Sequence, residues 1–115
     1  MLSGESGKFM FTTVRPTPYT VPDNGPVGEI LRLMGRHPWR PAHIHFMITA
    51  DDYKTLVTEI YPADDPYIGE DAVLGVRDSL CTDFKLNEDK NAAMTHGISS
   101  PFYDVRYDFV LQSDE

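Results

Sequence analysis

The chain has 115 residues, enough for one domain and, by surface-to-volume scaling, for one core that buries roughly two-thirds of the unfolded surface. Its 41% hydrophobic and 24% charged residues exclude a disordered chain, and a formal charge of −8 excludes binding of nucleic acid or anionic lipid through bulk charge. No apolar run reaches the ~20 residues of a membrane helix, residues 1–8 lack a signal-peptide segment, and Cys81 is the only cysteine; a reducing, cytoplasmic setting without a membrane partner is the expectation.

Eight glycines and nine prolines point to a turn-rich fold. GKFMFTTV (7–14) alternates Phe9, Phe11 and Thr13 against Met10 and Thr12 and reads as a strand. RPTPYTVPDNGP then excludes both helix and central strand, because proline lacks the backbone donor. Val27 to Met34 suits one or two helical turns ended by Gly35. After the rigid loop GRHPWRP come two strands, AHIHFMIT (42–49) and LVTEIY (56–61). Residues 71–84 permit helix or strand, NEDKNAAMTHGISSP reads as an exposed loop, and FYDVRYDFVL (102–111) alternates as a final strand. Short strands, long loops and little helix make the expected class mainly β, a sandwich or barrel.

Charge is unevenly spread. Residues 1–57 carry a net +1 and residues 58–115 a net −9, which reads as a solvated acidic surface. Arg32, Arg36 and Arg40 crowd one short segment and could face an anionic ligand.

His43 and His45 stand two apart on a strand, so they share one face with Cα atoms about 6.6 Å apart, while Ile44, Phe46 and Ile48 face the core. Two such imidazoles can converge on one metal ion or can simply be solvated histidines on a polar face. Two prolines in PWRPA stiffen the approach, with Arg40 three residues before His43. Tyr19 sits in a second proline-locked loop, where it is either a packed aromatic or, beside a trivalent metal, a phenolate. His37 reads as a hydrogen-bonded loop residue, His96 as surface and Cys81 as buried packing. A zinc hydrolase built on the two histidines is disfavoured, since no carboxylate or cysteine stands at ligand spacing along the chain.

GKFMFTTVRPTPYTVPDNGPVGEILRLMGRHPWRPAHIHFMI, together with LVTEIYPADDPYIGEDAVLGVRDSL and FYDVRYDFVL, resembles the intradiol ring-cleavage dioxygenases, the catechol and hydroxyquinol 1,2-dioxygenases. The resemblance covers nearly all of the chain. It implies the β-sandwich catalytic core of that family, in which a mononuclear non-haem Fe(III) is held by two tyrosinates, two histidines and a hydroxide. By motif, Tyr19 matches the axial tyrosine, His43 and His45 the two histidines, and Arg40 the arginine that faces the substrate. The implied reaction cleaves a catechol-type ring with O2 to a cis,cis-muconate.

Two further positions follow from the same resemblance. Glu59 stands where many relatives have a substrate-proximal glutamine, and Ala72 where catechol-specific relatives carry a bulky aromatic. The smaller residue in DAVLGVRDSL favours hydroxyquinol (benzene-1,2,4-triol), whose product is 3-hydroxy-cis,cis-muconate, the enol of maleylacetate. The family's equatorial tyrosine and its N-terminal helical dimerisation segment have no counterpart in the eighteen residues before Tyr19, and Tyr53, Tyr61, Tyr67, Tyr103 and Tyr107 stand in no matching motif. Residues 1–115 are therefore expected to be one partial, N-terminally truncated β-sandwich domain of an enzyme that is a homodimer at full length. The alternative is a non-catalytic β-sandwich relative with an incomplete iron site.

Overall fold

The computed structural model describes residues 1–114. Its strands are β1 (Tyr19–Thr20), β2 (Trp39–Arg40), β3 (Ile44–Ala50), β4 (Tyr53–Pro62), β5 (Cys81–Thr82), β6 (Lys85–Asn87) and β7 (Phe102–Asp104), with helices α1 (Pro26–Leu33) and α2 (Lys90–Thr95) and one 3-10 turn at Asp78–Leu80. β1 pairs antiparallel with β2, β3 with β4 and β6 with β7, while β5 runs parallel to the end of β4. The class is mainly β, as expected. No described helix is long and apolar enough to cross a membrane.

α1 starts with a proline at its first position, where the missing N–H costs nothing, and stops at Gly35, whose φ of +65° suits a residue without Cβ. β3 and β4 form the one long ladder, with Ile44 opposite Ile60, His45 opposite Glu59 and Phe46 opposite Thr58. Side-chain exposure alternates along β3 with Phe46 and Ile48 on the less exposed face, though both remain half-buried.

Four expectations from sequence need correction. Residues 7–14 join no backbone ladder among the described residues, yet Phe9 and Phe11 still pack on Phe46, with ring centroids 6.3 and 6.1 Å away. The run 102–111 is a strand only over Phe102–Asp104; beyond it, Val105, Tyr107, Phe109 and Leu111 keep their alternation without a paired neighbour. The expected loop after Asn87 contains α2, nucleated by Asp89, whose carboxylate accepts from the N–H groups of Asn91 and Ala92. Ala93 is the residue that α2 buries, so no apolar periodicity announced it. Cys81 is half-buried on β5 rather than in the core.

The described chain is flat, 50 × 45 × 22 Å, with a radius of gyration of 17.4 Å against about 13 Å for a compact domain of this length. Its accessible surface of 8788 Å² corresponds to burial of about half of the unfolded surface, less than the expected two-thirds. The tightest packing lies along the end of β4 and its neighbours: Tyr61 is 0% exposed, and Pro41, Ala42, Ile60 and Pro62 are buried around it. Asp65 anchors this region, its carboxylate accepting from the N–H groups of Ala42 at the approach to β3 and Tyr67 in the following loop. The core therefore sits directly beneath the polar residues described next.

Candidate functional site

The β1–β2 register makes Tyr19 and Arg40 cross-strand partners, and Arg40 Nη1 donates to Tyr19 Oη at 3.4 Å. Pro41 and Ala42, both buried, carry the chain from Arg40 to His43, immediately before β3. His43 Nδ1 donates to the Pro41 carbonyl at 2.9 Å. A carbonyl only accepts, so Nδ1 carries a proton, which makes Nε2 the nitrogen that would ligate a metal. The His43 and His45 rings lie 4.8 Å apart and the Tyr19 ring is 5.5 Å from His43.

β4 supplies the carboxylate. Because His45 and Glu59 are directly opposed in an antiparallel ladder, they project from the same face. Glu59 Oε2 lies 3.6 Å from His43 Nε2 and 3.4 Å from His45 Nε2. One ligand atom from each of these three residues falls within 4.8 Å of the others, a cluster able to hold a metal ion. Chain spacing could not disclose the carboxylate, since it arrives across the ladder.

Arg40, only 8% exposed, is the hub. Its Nε donates to Asp71 Oδ1 at 3.1 Å, and its Nη2 donates to Glu59 Oε1 at 3.0 Å and Tyr61 Oη at 3.3 Å. Tyr61 Oη in turn donates to Glu59 Oε1. Asp71, 3% exposed, also accepts from the Val73 and Gly75 N–H groups, which curls the loop under the guanidinium. A Cβ on Gly75 would sit 3.1 Å from Arg40 Nη2 and 3.2 Å from the Asp71 and Glu59 oxygens, so glycine lets the network close.

The electrostatics follow from this geometry. Burial acts to raise Glu59 and Asp71, but hydrogen bonds outweigh it and leave both carboxyls below their ordinary range; the donors are Tyr61 and Arg40 for Glu59, and Arg40 with two backbone N–H groups for Asp71. Burial acts to lower Arg40, but hydrogen bonds to Asp71, Tyr19 and Glu59 reverse that and raise it. Burial and the adjoining Glu59 push the Tyr61 hydroxyl well above its usual value, so it stays a protonated donor. One guanidinium between two carboxylates leaves the cluster net negative, which favours a cation beside Oε2.

Among the residues singled out from sequence, Tyr19, Arg40, His43, His45 and Glu59 come together. Ala72 is buried on the neighbouring loop, its N–H donating to the Trp39 carbonyl and its own carbonyl accepting from Arg36. The three arginines diverge: Arg32 reaches the Asp23 carbonyl, Arg36 the Asp71 and Ala72 carbonyls, and only Arg40 enters the site. His37 is a loop residue bonded to Glu70 and to the Trp39 N–H, and His96 is exposed at the end of α2. Sequence reasoning missed Tyr61 and Asp71. Tyr61 had a usable signal, since it stands two residues after Glu59 on one strand face; its ring lies 5.7 Å from His43.

The Dioxygenase family model (Dioxygenase_C) matches residues 1–113. The chain is 49% identical over 111 residues to a hydroxyquinol 1,2-dioxygenase of Rhizobium sp. (strain MTP-10005), covering 96% of this chain and 38% of that protein. It is also 49% identical over 109 residues to a 6-chlorohydroxyquinol 1,2-dioxygenase of Cupriavidus pinatubonensis, covering 95% of this chain and 36% of that protein. Among solved structures, hydroxyquinol 1,2-dioxygenase from Pseudomonas putida DLL-E4 aligns with a TM-score of 0.76 and 41% identity over 87% of this chain and 35% of that one. The chain thus spans little more than a third of the length of these relatives. It belongs to the intradiol ring-cleavage dioxygenase family and corresponds to that family's C-terminal part.

Proposed function

We propose that this chain carries the metal and substrate-facing half of a non-haem Fe(III) intradiol dioxygenase that opens a catechol-type ring with O2, with hydroxyquinol as the favoured substrate. The observation that supports it best is the convergence of Tyr19, His43, His45 and Arg40 from β1, β2 and β3 on one small region. The donor set fits ferric iron: two imidazoles, one of them with its Nε2 lone pair oriented by Pro41, stand beside a phenol and a carboxylate, which are the hard oxygen donors a trivalent ion prefers. Tyr19, His43 and His45 would hold the metal. When bound, Fe(III) supplies the charge that binds a catechol as a dianion and withdraws electron density from its ring.

The chain's own residues then have separate tasks. Tyr19 would hold the metal as a phenolate, and its Oη would be the base that takes up a catechol proton. Arg40 stays protonated throughout, as guanidinium groups in proteins do, and its Nη1 already lies 3.4 Å from Tyr19 Oη and 3.5 Å from His43 Nε2. A fixed guanidinium at that point stabilises negative charge developing on the ring without moving a proton. Asp71 and Tyr61 keep it there. Ala72, buried on the loop beside Asp71, is the small residue whose family resemblance favours a substrate with a third ring hydroxyl. The small-molecule substrate and O2 are the partners; homodimerisation belongs to the full-length enzyme.

Oxygen uptake by the iron-loaded protein with benzene-1,2,4-triol and with catechol tests this reading. Uptake with the triol and ring-opened product supports it, and faster turnover of catechol would reject the substrate preference alone. A protein that binds iron and consumes no oxygen with either substrate would favour the non-catalytic alternative.

A further inference from the structure

We propose that Glu59 is itself a metal ligand in this chain, binding through Oε2 beside His43 and His45. The inference rests on the metal-centre reading above and goes beyond the substrate-proximal role expected for position 59. Three observations carry it. First, the two carboxylate oxygens are divided in their duties: Oε1 is occupied by Arg40 Nη2 and Tyr61 Oη, whereas Oε2 faces the two imidazoles. Second, the spacing is that of ligands around one ion. Donors about 2.1 Å from a shared metal lie about 3.0–3.4 Å from each other in octahedral or tetrahedral geometry; Oε2 lies 3.4 Å from His45 Nε2, within that range, and 3.6 Å from His43 Nε2, about 0.2 Å beyond it. Third, the carboxylate is preorganised, since its side chain is 16% exposed and pinned from below by Arg40 and Tyr61.

Two histidines and one carboxylate form a set that divalent ions also accept. A glutamine at this position would offer a neutral carbonyl oxygen in place of the anion, so the glutamate widens the range of metals the site can take. The chain is therefore expected to bind Co(II) at one ion per chain, without requiring ionisation of Tyr19.

The test is titration of the full chain with Co(II), followed by calorimetry and by the d–d absorption of the bound ion, for the unaltered protein and for Glu59→Gln, Glu59→Asp and His45→Ala. Glu59→Asp keeps the negative charge but withdraws it by one methylene, which separates ligation from simple electrostatic attraction. Ligation by Glu59 requires both Glu59 variants to lose more than the roughly 10–100-fold in affinity that an outer-shell partner contributes, with a changed d–d spectrum for whatever Co(II) remains. Affinity of Glu59→Asp near that of the unaltered protein, with the same spectrum, would overturn the proposal while leaving the histidine centre intact. If His45→Ala also binds Co(II) normally, the metal centre itself is wrong and the proposal falls with it. Should Glu59→Gln fail to fold, judged by melting of the metal-free protein, the aspartate variant decides by the same two readouts.

Discussion

His45 and Glu59 stand directly opposite each other in the β3–β4 ladder, and Glu59 Oε2 lies 3.4 Å from His45 Nε2. A one-residue slip of that register would turn every side chain on one strand to the other face and separate the pair. Hydrophobic alternation of Ile44, Phe46 and Ile48 on the reverse face thus also sets the geometry of the His45–Glu59 pair.

Removal of either histidine should separate metal binding from folding. His45 has a side chain 67% exposed, so His45→Ala should change the melting temperature of the metal-free protein little while lowering metal affinity by more than about 100-fold. His43→Ala loses the same ligand count and also the bond to the Pro41 carbonyl, adding a stability cost of about 1 kcal/mol. Metal titration alongside thermal melting checks both.

Arg40 couples the site to the core. Arg40→Ala would leave Asp71 and Glu59 as buried carboxylates without their counter-ion, and a loss of about 3–5 kcal/mol in unfolding free energy is expected. Arg40→Lys keeps the charge but cannot donate through a planar fork to Asp71 and Glu59 at once. That variant should retain iron and lose about 10²–10³-fold in oxygen consumption, as is typical when a fixed donor to developing negative charge is removed. Denaturant unfolding and oxygen uptake on the two variants resolve the structural and chemical contributions.

Asp71 gives the metal-free protein an acid-sensitive component. Its folded pKa is depressed by Arg40 and the Val73 and Gly75 N–H groups, against about 3.9 for an unfolded aspartate. The unfolded state then binds the proton first, so the contribution is fully present above about pH 4 and is lost as pH falls through the lower, folded value. Unfolding free energy of the metal-free chain should decline below about pH 4, and Asp71→Asn should be less stable at neutral pH with a shallower decline. Urea titrations between pH 2.5 and 7 on both proteins measure this; these pH limits are set about the unfolded aspartate value.

Gly28, on the buried side of α1, is a packing requirement. A Cβ there would fall 1.8 Å from the Asp23 carbonyl oxygen, which is backbone and cannot rotate away. Gly28→Ala should therefore cost about 1–3 kcal/mol or more despite the better helix propensity of alanine. A melting curve for that variant is the check, and an unchanged or raised midpoint would refute the tight approach of α1 to the Asp23 turn.

Local chemistry made much of the fold legible. Pro26 and Gly35 delimit α1, and β-branched and aromatic alternation marks β3 and β4. What failed depended on neighbours. Residues 7–14 and 105–111 have strand-like alternation, but a ladder also needs a paired backbone, which the described residues do not provide. The site divides the same way. Tyr19, Arg40, His43 and His45 lie within rigid segments close in sequence and were found. Asp71 was missed because it meets Arg40 from 31 residues away, through a loop with no regular pattern, and Tyr61 because it stands in no matching motif and its bond to Glu59 depends on the folded site.

The central claim is that Tyr19, His43 and His45 converge on one ferric ion, and Fe(III) titration followed by visible absorption tests it most directly. A phenolate bound to Fe(III) has a charge-transfer band that histidine and carboxylate ligands lack. The unaltered chain should saturate at one iron with a red to brown band, and Tyr19→Phe should lose that band while still binding metal through the histidines. A colourless iron complex, or a band undiminished in Tyr19→Phe, would contradict the assignment.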